Sequence, residues 1–250
     1  MNKTSLLFSL VLNLSLLFVF ACGSQEVVNN DTESGRDSNT NGDAGPDSGT
    51  DVENVENDYY PMAVGAFWKY RETQPGLTPI ELTYTITKKE KKTFGDITGE
   101  REVFFMENTF DVNEEYRVQY IEDDGVRAVR HGHDVYTDEG WKKVRTYTPG
   151  FLRFDRGKVA VGEKWEETVS SVTVDAKETK TQTTTYEFEV LRVGTPVTIG
   201  IGTFNCIQLK RKDSADSETK LYWYAPGIGK IREQTLDTSK EEELIDSSYL

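Results

Sequence analysis

Cysteine, histidine and proline are scarce in this chain of 250 residues, and positive charges are outnumbered by negative ones. Its two Cys exclude a disulfide-rich scaffold and a cysteine-based zinc module. Its two His are too few for a metal centre built from histidine alone. The 29 Lys and Arg are outnumbered by 43 Asp and Glu, which gives a formal net charge of -14. Since binding to phosphate backbones needs clustered Lys and Arg, the sequence predicts no nucleic-acid partner.

Residues 1–21 have the pattern of a secretory signal peptide. Lys3 supplies a positive charge, and residues 6–21 (LLFSLVLNLSLLFVFA) form an apolar core that is shorter than the roughly 20 residues of a membrane-spanning helix. The sequence Val-Phe-Ala-Cys at residues 19–22 resembles a bacterial lipobox. The resemblance implies that the signal is removed and Cys22 is acylated, and two or more acyl chains anchor a protein stably in a bilayer.

The residue after the cysteine suggests a destination. Gly23 stands where Asp would retain an enteric lipoprotein in the inner membrane, so resemblance to that sorting rule favours the outer membrane. The alternative is an ordinary signal peptide cleaved after Ala21, with Cys22 free or bridged to Cys206.

Residues 22–58 form a predicted acidic tether behind the lipidated cysteine. From residue 23 to residue 58 there is no aromatic residue, no Leu and no Ile, and residues 22–60 carry ten acids and one base. Such a segment buries too little apolar surface to offset the entropy of ordering its backbone, so the sequence predicts disorder. Residues 61–250, with 33 acids and 27 bases, have the charge of an ordinary soluble surface.

One short motif in the tether, residues 37–43 (DSNTNGD), matches the first half of a calcium-binding loop. Gly42 stands where such loops turn sharply, but Ser48 occupies the place of the bidentate carboxylate. No helix pattern flanks the motif, so a linker is the favoured interpretation and no metal site is predicted.

Residues 59–250 are predicted to form one β-rich domain. Apolar and polar residues alternate in residues 80–87 (IELTYTIT), which is typical of a strand with one buried apolar face. Residues 116–120 (YRVQY) and 186–190 (YEFEV) repeat this pattern. Turn signals such as Asp-Gly at residues 124–125 separate the runs at intervals of roughly ten residues, which indicates an antiparallel meander of about ten to twelve strands. Residues 239–242 support at most one turn of helix.

The polar side of most strands is built from Thr, Glu and Lys. A single curved sheet or open barrel with a wet outer surface is therefore the predicted all-β fold, and a two-sheet β-sandwich is the alternative.

Three blocks of this domain resemble a family of uncharacterised bacterial envelope lipoproteins. Residues 60–70 (YPMAVGAFWKY) resemble its opening motif Y-x-P-L-x-x-G-x-x-W-x-Y, and residues 202–206 (GTFNC) its G-T-F-[DN]-C element. Residues 222–232 (YWYAPGIGKIR) resemble its closing W-[YF]-A-P-G-[VI]-G element. The resemblance covers the chain from Tyr60 to about Leu236 and implies a β-rich periplasmic or surface domain. It brings no activity with it.

These blocks have a structural and a functional interpretation. As structure, Trp68 and Tyr70 begin the first strand and supply core area, Gly229 stands where a side chain would clash or φ is positive, and Cys206 is a buried small hydrophobe. As function, an aromatic ligand platform would combine four side chains on one concave surface: Trp68, Tyr70, Tyr222 and Tyr224. Alternation places Trp223 on the opposite face.

Few residue patterns in this sequence are typical of a catalytic or metal-binding site. His131 and His133 are spaced to share one strand face and could bind one metal with a carboxylate such as Asp134, although no third His exists. The favoured interpretation is an exposed hairpin segment around Gly132. No G-x-S-x-G elbow, Walker loop or Rossmann glycine pattern is present.

The sequence therefore predicts an envelope lipoprotein held in the outer membrane, at its periplasmic face or at the cell surface, through acylated Cys22. Its β-domain is expected to be a non-enzymatic binding or scaffolding module without a cofactor. A carrier of lipid or another apolar ligand inside an open barrel is the alternative, and a metal-dependent hydrolase a remote one.

Overall fold

The computed structural model describes residues 58–95, 99–110, 116–137 and 140–250. The predicted signal peptide, Cys22, nearly all of the tether and the calcium-like motif lie outside these residues. The described part contains twelve β-strands and no helix. The strands are β1 Phe67–Thr73, β2 Ile80–Thr93, β3 Glu100–Phe110, β4 Tyr116–Asp123, β5 Arg127–Thr137, β6 Gly140–Asp155, β7 Lys164–Asp175, β8 Thr179–Ile199, β9 Gly202–Asp213, β10 Thr219–Ala225, β11 Gly229–Thr235 and β12 Lys240–Ser247.

Each strand pairs antiparallel with the next along the chain, and β1 pairs with β12. The predicted all-β meander is confirmed, and the sheet closes into a barrel where the sequence left an open barrel and a sandwich as alternatives. Closure removes both sheet edges, because the outermost strands satisfy each other's backbone groups. Residues 239–242 contribute the last turn and the start of β12.

The barrel interior takes the apolar positions of most strands. In β2, Leu82, Tyr84 and Ile86 are buried, while the Thr and Glu residues between them are at least partly exposed. The same alternation buries Tyr186, Phe188 and Val190 of β8. Period-two patterning thus places one large apolar cluster inside the barrel.

The barrel has an entry end, where the described chain begins, and a far end, where β1 finishes at Thr73. Because neighbouring strands are antiparallel, even-numbered strands begin at the far end and odd-numbered strands at the entry end.

Arg156 forms two ion pairs at the entry end. Its Nε lies 3.0 Å from Asp58 Oδ1 and its Nη1 lies 2.8 Å from Asp123 Oδ1. These carboxylates raise the pKa of Arg156 despite its partial burial.

Two of the three sequence blocks meet at the entry end. The Trp68 indole donates a hydrogen bond to the Ile228 carbonyl over 2.6 Å. Gly229 has φ +103°, and a Cβ on it would lie 3.2 Å from Trp68 Nε1, so both predicted reasons for glycine apply. Cys206, in the third block, is buried, and burial raises the pKa of its thiol to about 12. Its interpretation as a buried small hydrophobe is confirmed.

Charged groups also lie in the interior. Lys220 Nζ is 2.9 Å and Lys230 Nζ 2.7 Å from the carboxylate of Glu233, and Lys230 Nζ is also 2.7 Å from Glu242. Burial alone would raise the pKa of Glu233, but the two ammonium groups lower it to about 2. The three adjacent strands β10, β11 and β12 are thereby linked by buried ion pairs.

Candidate functional site

The four aromatic residues of the predicted ligand platform are all buried in the barrel interior: Trp68, Tyr70, Tyr222 and Tyr224. The Tyr70 hydroxyl donates to the Lys230 carbonyl over 2.8 Å, and the rings of Tyr222 and Tyr224 stack with centroids 6.0 Å apart. The structure therefore brings these residues into the core, where they leave no accessible platform. Trp223, which alternation places on the other face, is only partly buried and lies beside Arg232.

The two histidines do not form a pair. Pairing of β5 with both neighbouring strands shifts register near His131, so His131 and His133 contact different surroundings. His131 Nε2 lies 2.7 Å from Glu122 Oε2, whereas His133 Nδ1 lies 3.4 Å from the Tyr147 hydroxyl inside the barrel. Both side chains are buried, so the predicted exposed hairpin is wrong. Among the residues described, no group of three or more His, Cys, Asp and Glu side chains is placed to hold a metal ion.

An apolar surface lies instead on the outside of β3, β4, β5 and β6. We call it the outer aromatic face, and its residues are Phe94, Val103, Phe105, Tyr116, Val118, Tyr120, Tyr136 and Trp141. Four of them, Phe94, Val103, Val118 and Tyr120, are themselves buried in a second packed cluster that is separate from the barrel core, and Phe105 and Tyr136 pack against it. In β4 the apolar stripe 116, 118, 120 belongs to this face, while Arg117, Gln119 and Ile121 take the alternate positions and are buried. The predicted burial of this stripe is confirmed for Val118 and Tyr120, but they are buried in the second cluster on the outer side of the barrel and not in its interior, and Tyr116 is exposed.

Three rings of the face stand in a row at the far end of the barrel. Register pairs Tyr116 with Tyr136 and Tyr136 with Trp141, and cross-strand partners lie on the same side of a sheet. The Tyr116 and Tyr136 rings stack with centroids 4.7 Å apart and an interplanar angle of 9°. Tyr116 is 39% and Trp141 49% exposed, so the row offers aromatic surface to solvent.

A pocket of about 160 Å³ opens within the face, below the row. Its lining includes the Tyr120 ring, the Asp134 carboxylate, Thr146 and the ammonium of Lys92, which lies 4.3 Å from the Tyr120 ring centroid. Asp134 Oδ2 accepts hydrogen bonds from the hydroxyls of Tyr120 at 2.5 Å and Tyr136 at 3.3 Å. Burial, followed by these contacts with Asp134, raises the pKa of Tyr120.

Glycine at residue 132 allows β5 and β6 to lie close together beside this pocket. Gly132 is paired with Tyr120 across β4 and β5, so a side chain on it would point to the same face. A Cβ there would lie 2.7 Å from the Arg145 carbonyl oxygen, which real Cβ atoms do not tolerate. Gly132 is therefore required for the close approach of the β6 backbone, and it forms part of the pocket lining.

A larger groove, of about 310 Å³, runs along the outside of β7, β8 and β9. Its charged side chains already neutralise one another: Glu189 binds Lys164 at 2.9 Å and Lys210 at 3.2 Å, and Glu187 lies 3.5 Å from Lys212. This groove therefore presents mutually paired charges, and the outer aromatic face is the better candidate site.

Sequence reasoning passed over this site although its signal was present. The alternation in residues 116–120 showed an apolar stripe, and the unusual Gly132 lay between two histidines. The missing information was which side of β4 faces the barrel interior, since Arg117 and Gln119 are buried on the inner side and Val118 and Tyr120 in the second cluster on the outer side.

Comparisons with known proteins assign no family. The chain matches no protein-family model and no curated protein. One similar solved structure is a protein of Bacteroides fragilis NCTC 9343 described as an exported protein with a YmcC-like fold; it has a TM-score of 0.47 and 12% identity and covers 75% of this chain and 97% of its own. Another, described as a lipoprotein of Parabacteroides distasonis ATCC 8503, has a TM-score of 0.36 and 13% identity with the same coverage. Likenesses at this level assign neither a family nor an activity.

Within the described residues, no helix is long and apolar enough to cross a membrane.

Proposed function

We propose that this chain is a bacterial envelope lipoprotein whose barrel is a non-enzymatic binding module for a carbohydrate chain. The observation that carries the proposal is the outer aromatic face. Elsewhere the outside of the barrel is built largely from Thr, Glu and Lys, as on β2, β7 and β8. Exposed aromatic rings such as those of Tyr116 and Trp141 on this polar exterior favour an interaction surface.

The mixture of groups in the pocket favours a carbohydrate. A sugar ring has an apolar face that packs on aromatic rings and hydroxyl groups that bond to carboxylates and ammonium groups. The exposed rings of Tyr116 and Trp141 supply the apolar stacking surface, while Asp134 and Lys92 in the pocket supply the polar partners. At about 160 Å³ the pocket is below the usual size of sites for drug-sized molecules, which favours one sugar unit with its chain continuing over the exposed row.

The anchoring part of the proposal rests on the lipobox and the acidic tether. Acylation of Cys22 would attach the chain to the bilayer, and the outer membrane is the destination that Gly23 favours. The tether would join the barrel at its entry end, where Arg156 holds Asp58. The row of Tyr116, Tyr136 and Trp141 lies at the opposite end and would face away from the bilayer.

A carrier of apolar ligands receives less support. Such a carrier needs an apolar cleft of several hundred Å³. The described interior is filled by aromatic and charged side chains, and both the pocket of about 160 Å³ and the groove of about 310 Å³ lie on the outside of the barrel.

Lipidation is tested by labelling cells with radioactive palmitate. We expect the wild-type protein to incorporate label and to fractionate with membranes, because acylation requires the Cys22 thiol. Cys22→Ala should remove both properties, and Cys206→Ala is the matched control that should keep them. Equal labelling of Cys22→Ala and wild type would contradict the anchor.

Carbohydrate binding is tested by calorimetric titration of the full chain with chitotetraose, cellotetraose and maltotetraose. We expect one of these probes to bind and its affinity to fall at least about tenfold in Trp141→Ala, because the ring face it stacks on is lost. Leu77→Ala is the matched control, since Leu77 is also exposed at the far end but lies outside the outer aromatic face. Absence of binding by all three probes, or equal affinity of the Trp141 variant, would contradict the proposal.

A further inference from the structure

The barrel interior contains a cluster of guanidinium groups around one aromatic ring. The guanidinium carbons of Arg130, Arg153 and Arg211 lie 5.0, 5.4 and 5.8 Å from the centroid of Phe151. All three arginines are about 1% exposed. Taking such charges out of water costs several kcal/mol each unless a counter-charge and hydrogen-bond acceptors replace the water.

Arg130 lies in a neutral set of protein partners. Its Nη1 donates to Gln119 Oε1 over 3.0 Å and its Nη2 to the Tyr147 hydroxyl over 2.8 Å. Tyr147 also contacts His133, and burial together with Arg130 lowers the pKa of that imidazole well below its ordinary value, so His133 is neutral. No described carboxylate lies within ion-pair distance of Arg130, and its Nε has no described acceptor.

The described carboxylates near this cluster lie on the side of Arg211. Arg211 Nη2 lies 3.3 Å from Glu218, which is shared with Lys220 at 3.6 Å. Lys220 continues to Glu233, the first member of the ion-pair chain of β10, β11 and β12. Three cations meet three carboxylates along this chain of ion pairs, so its charges balance. The buried carboxylate of Asp213 adds a negative charge near Arg211.

The unsatisfied groups of the described interior are mainly donors. They include Nε of Arg130, Nε2 of Gln119, and Nε and Nη1 of Arg211, none of which has an acceptor among the described residues. Water could accept these hydrogen bonds but would leave the positive charge of Arg130 uncompensated. An anion supplies both acceptors and charge.

We propose that the barrel interior binds one small inorganic anion beside Phe151, held by the guanidinium groups of Arg130 and Arg211. The ion is of halide size, because aromatic and charged side chains fill the space around it. It acts as a structural counter-ion of the closed barrel and is independent of the carbohydrate site on the outside.

Thermal unfolding of the full chain in sodium chloride, bromide and gluconate at constant ionic strength tests this proposal. Gluconate is too large for the interior, so chloride and bromide should raise the unfolding midpoint by about 3 °C or more, in a saturable manner. Arg130→Gln should lose this dependence, because the charge that requires the anion is removed. Arg232→Gln is the matched control, since Arg232 is a partly exposed arginine paired with Glu241, and it should behave as wild type.

Anomalous diffraction from wild-type crystals grown in sodium bromide gives a readout that needs no variant. We expect a bromide peak within hydrogen-bond distance of Arg130 or Arg211. Equal midpoints in chloride and gluconate, retention of the chloride effect in Arg130→Gln, or crystals without a bromide peak beside Phe151 would each overturn the proposal.

Discussion

His133 illustrates how a single residue is governed by the barrel interior. Its ring lies 6.0 Å from that of Tyr147 and its side chain is buried. Burial is the main cause of its lowered pKa, and the positive charges of Arg130 and Arg117 lower it further. The imidazole therefore stays neutral in the folded protein at pH values at which it would be protonated in the unfolded chain.

This difference predicts a pH dependence of stability. The unfolded chain takes up a proton at His133 below about pH 6.5, whereas the folded protein does not, so the free energy of unfolding falls as the pH is lowered. The expected slope from this group is about 0.7 kcal/mol per pH unit at pH 6.5 and approaches about 1.4 kcal/mol per pH unit near pH 5. Urea unfolding of wild type and His133→Asn at several pH values measures it as the difference between the two.

The matched control for this experiment is His131→Asn, which removes the other buried histidine and leaves His133 in place. This variant should retain the part of the pH dependence of the free energy of unfolding that arises from His133. A wild-type slope equal to that of His133→Asn would contradict the account.

At the scale of strands, alternation is a good predictor of where strands occur and a poor predictor of which face is inside. The pattern of residues 80–87 correctly placed Leu82, Tyr84 and Ile86 in the core. The equally regular pattern of residues 116–120 lies with its aromatic stripe outward. The difference arises because this barrel buries large polar side chains such as Arg117 and Gln119, so polarity alone does not identify the outer face.

The candidate site depends further on register, which the sequence does not specify. The pocket is lined by the cross-strand partners Gly132 and Tyr120, and the row exists because Tyr136 is opposite both Tyr116 and Trp141. Shifts of register in β5 set these pairs and also separate the two histidines. Residue spacing along one strand carries no information on such cross-strand pairs.

The buried ion pairs across β10, β11 and β12 predict a large effect of one neutral substitution. Glu233→Gln removes the carboxylate between Lys220 and Lys230, so we expect the free energy of unfolding to fall by roughly 3–5 kcal/mol at pH 7. The lowered pKa of Glu233, about 2, also predicts a pH dependence of stability. Its contribution to the free energy of unfolding is fully present above the ordinary Glu pKa near 4.3 and is lost as the pH falls towards 2. Denaturant unfolding measures the effect of the substitution and, at several pH values, this loss.

Glu241→Gln is the matched control on the same strands. Glu241 is paired with Arg232 at a partly exposed position, and such pairs contribute less than about 1 kcal/mol. Similar losses in the two variants would show that burial of the Glu233 pairs is not what makes them important.

For the whole molecule, the proposed division is between a filled, rigid barrel and a binding surface outside it. The four aromatic residues that the sequence suggested as a ligand platform pack inside, and a different set of rings, on β4, β5 and β6, meets solvent. The chain enters the barrel at the end opposite to the exposed row. This arrangement suits a domain attached to a bilayer at one end and open to a partner at the other.

The four tryptophans of the chain allow the central claim to be measured in one spectrum. Trp68 is buried in the interior, Trp165 stacks on Phe188, Trp223 lies beside Arg232, and Trp141 is exposed on the outer aromatic face. Two-dimensional ¹H–¹⁵N NMR of ¹⁵N-tryptophan-labelled protein resolves one indole signal from each. On titration with the tetrasaccharide that binds, we predict a saturable shift of the Trp141 signal alone. A shift of the Trp68 signal, which would place the ligand inside the barrel, or no shift of Trp141 at saturation, would contradict the account.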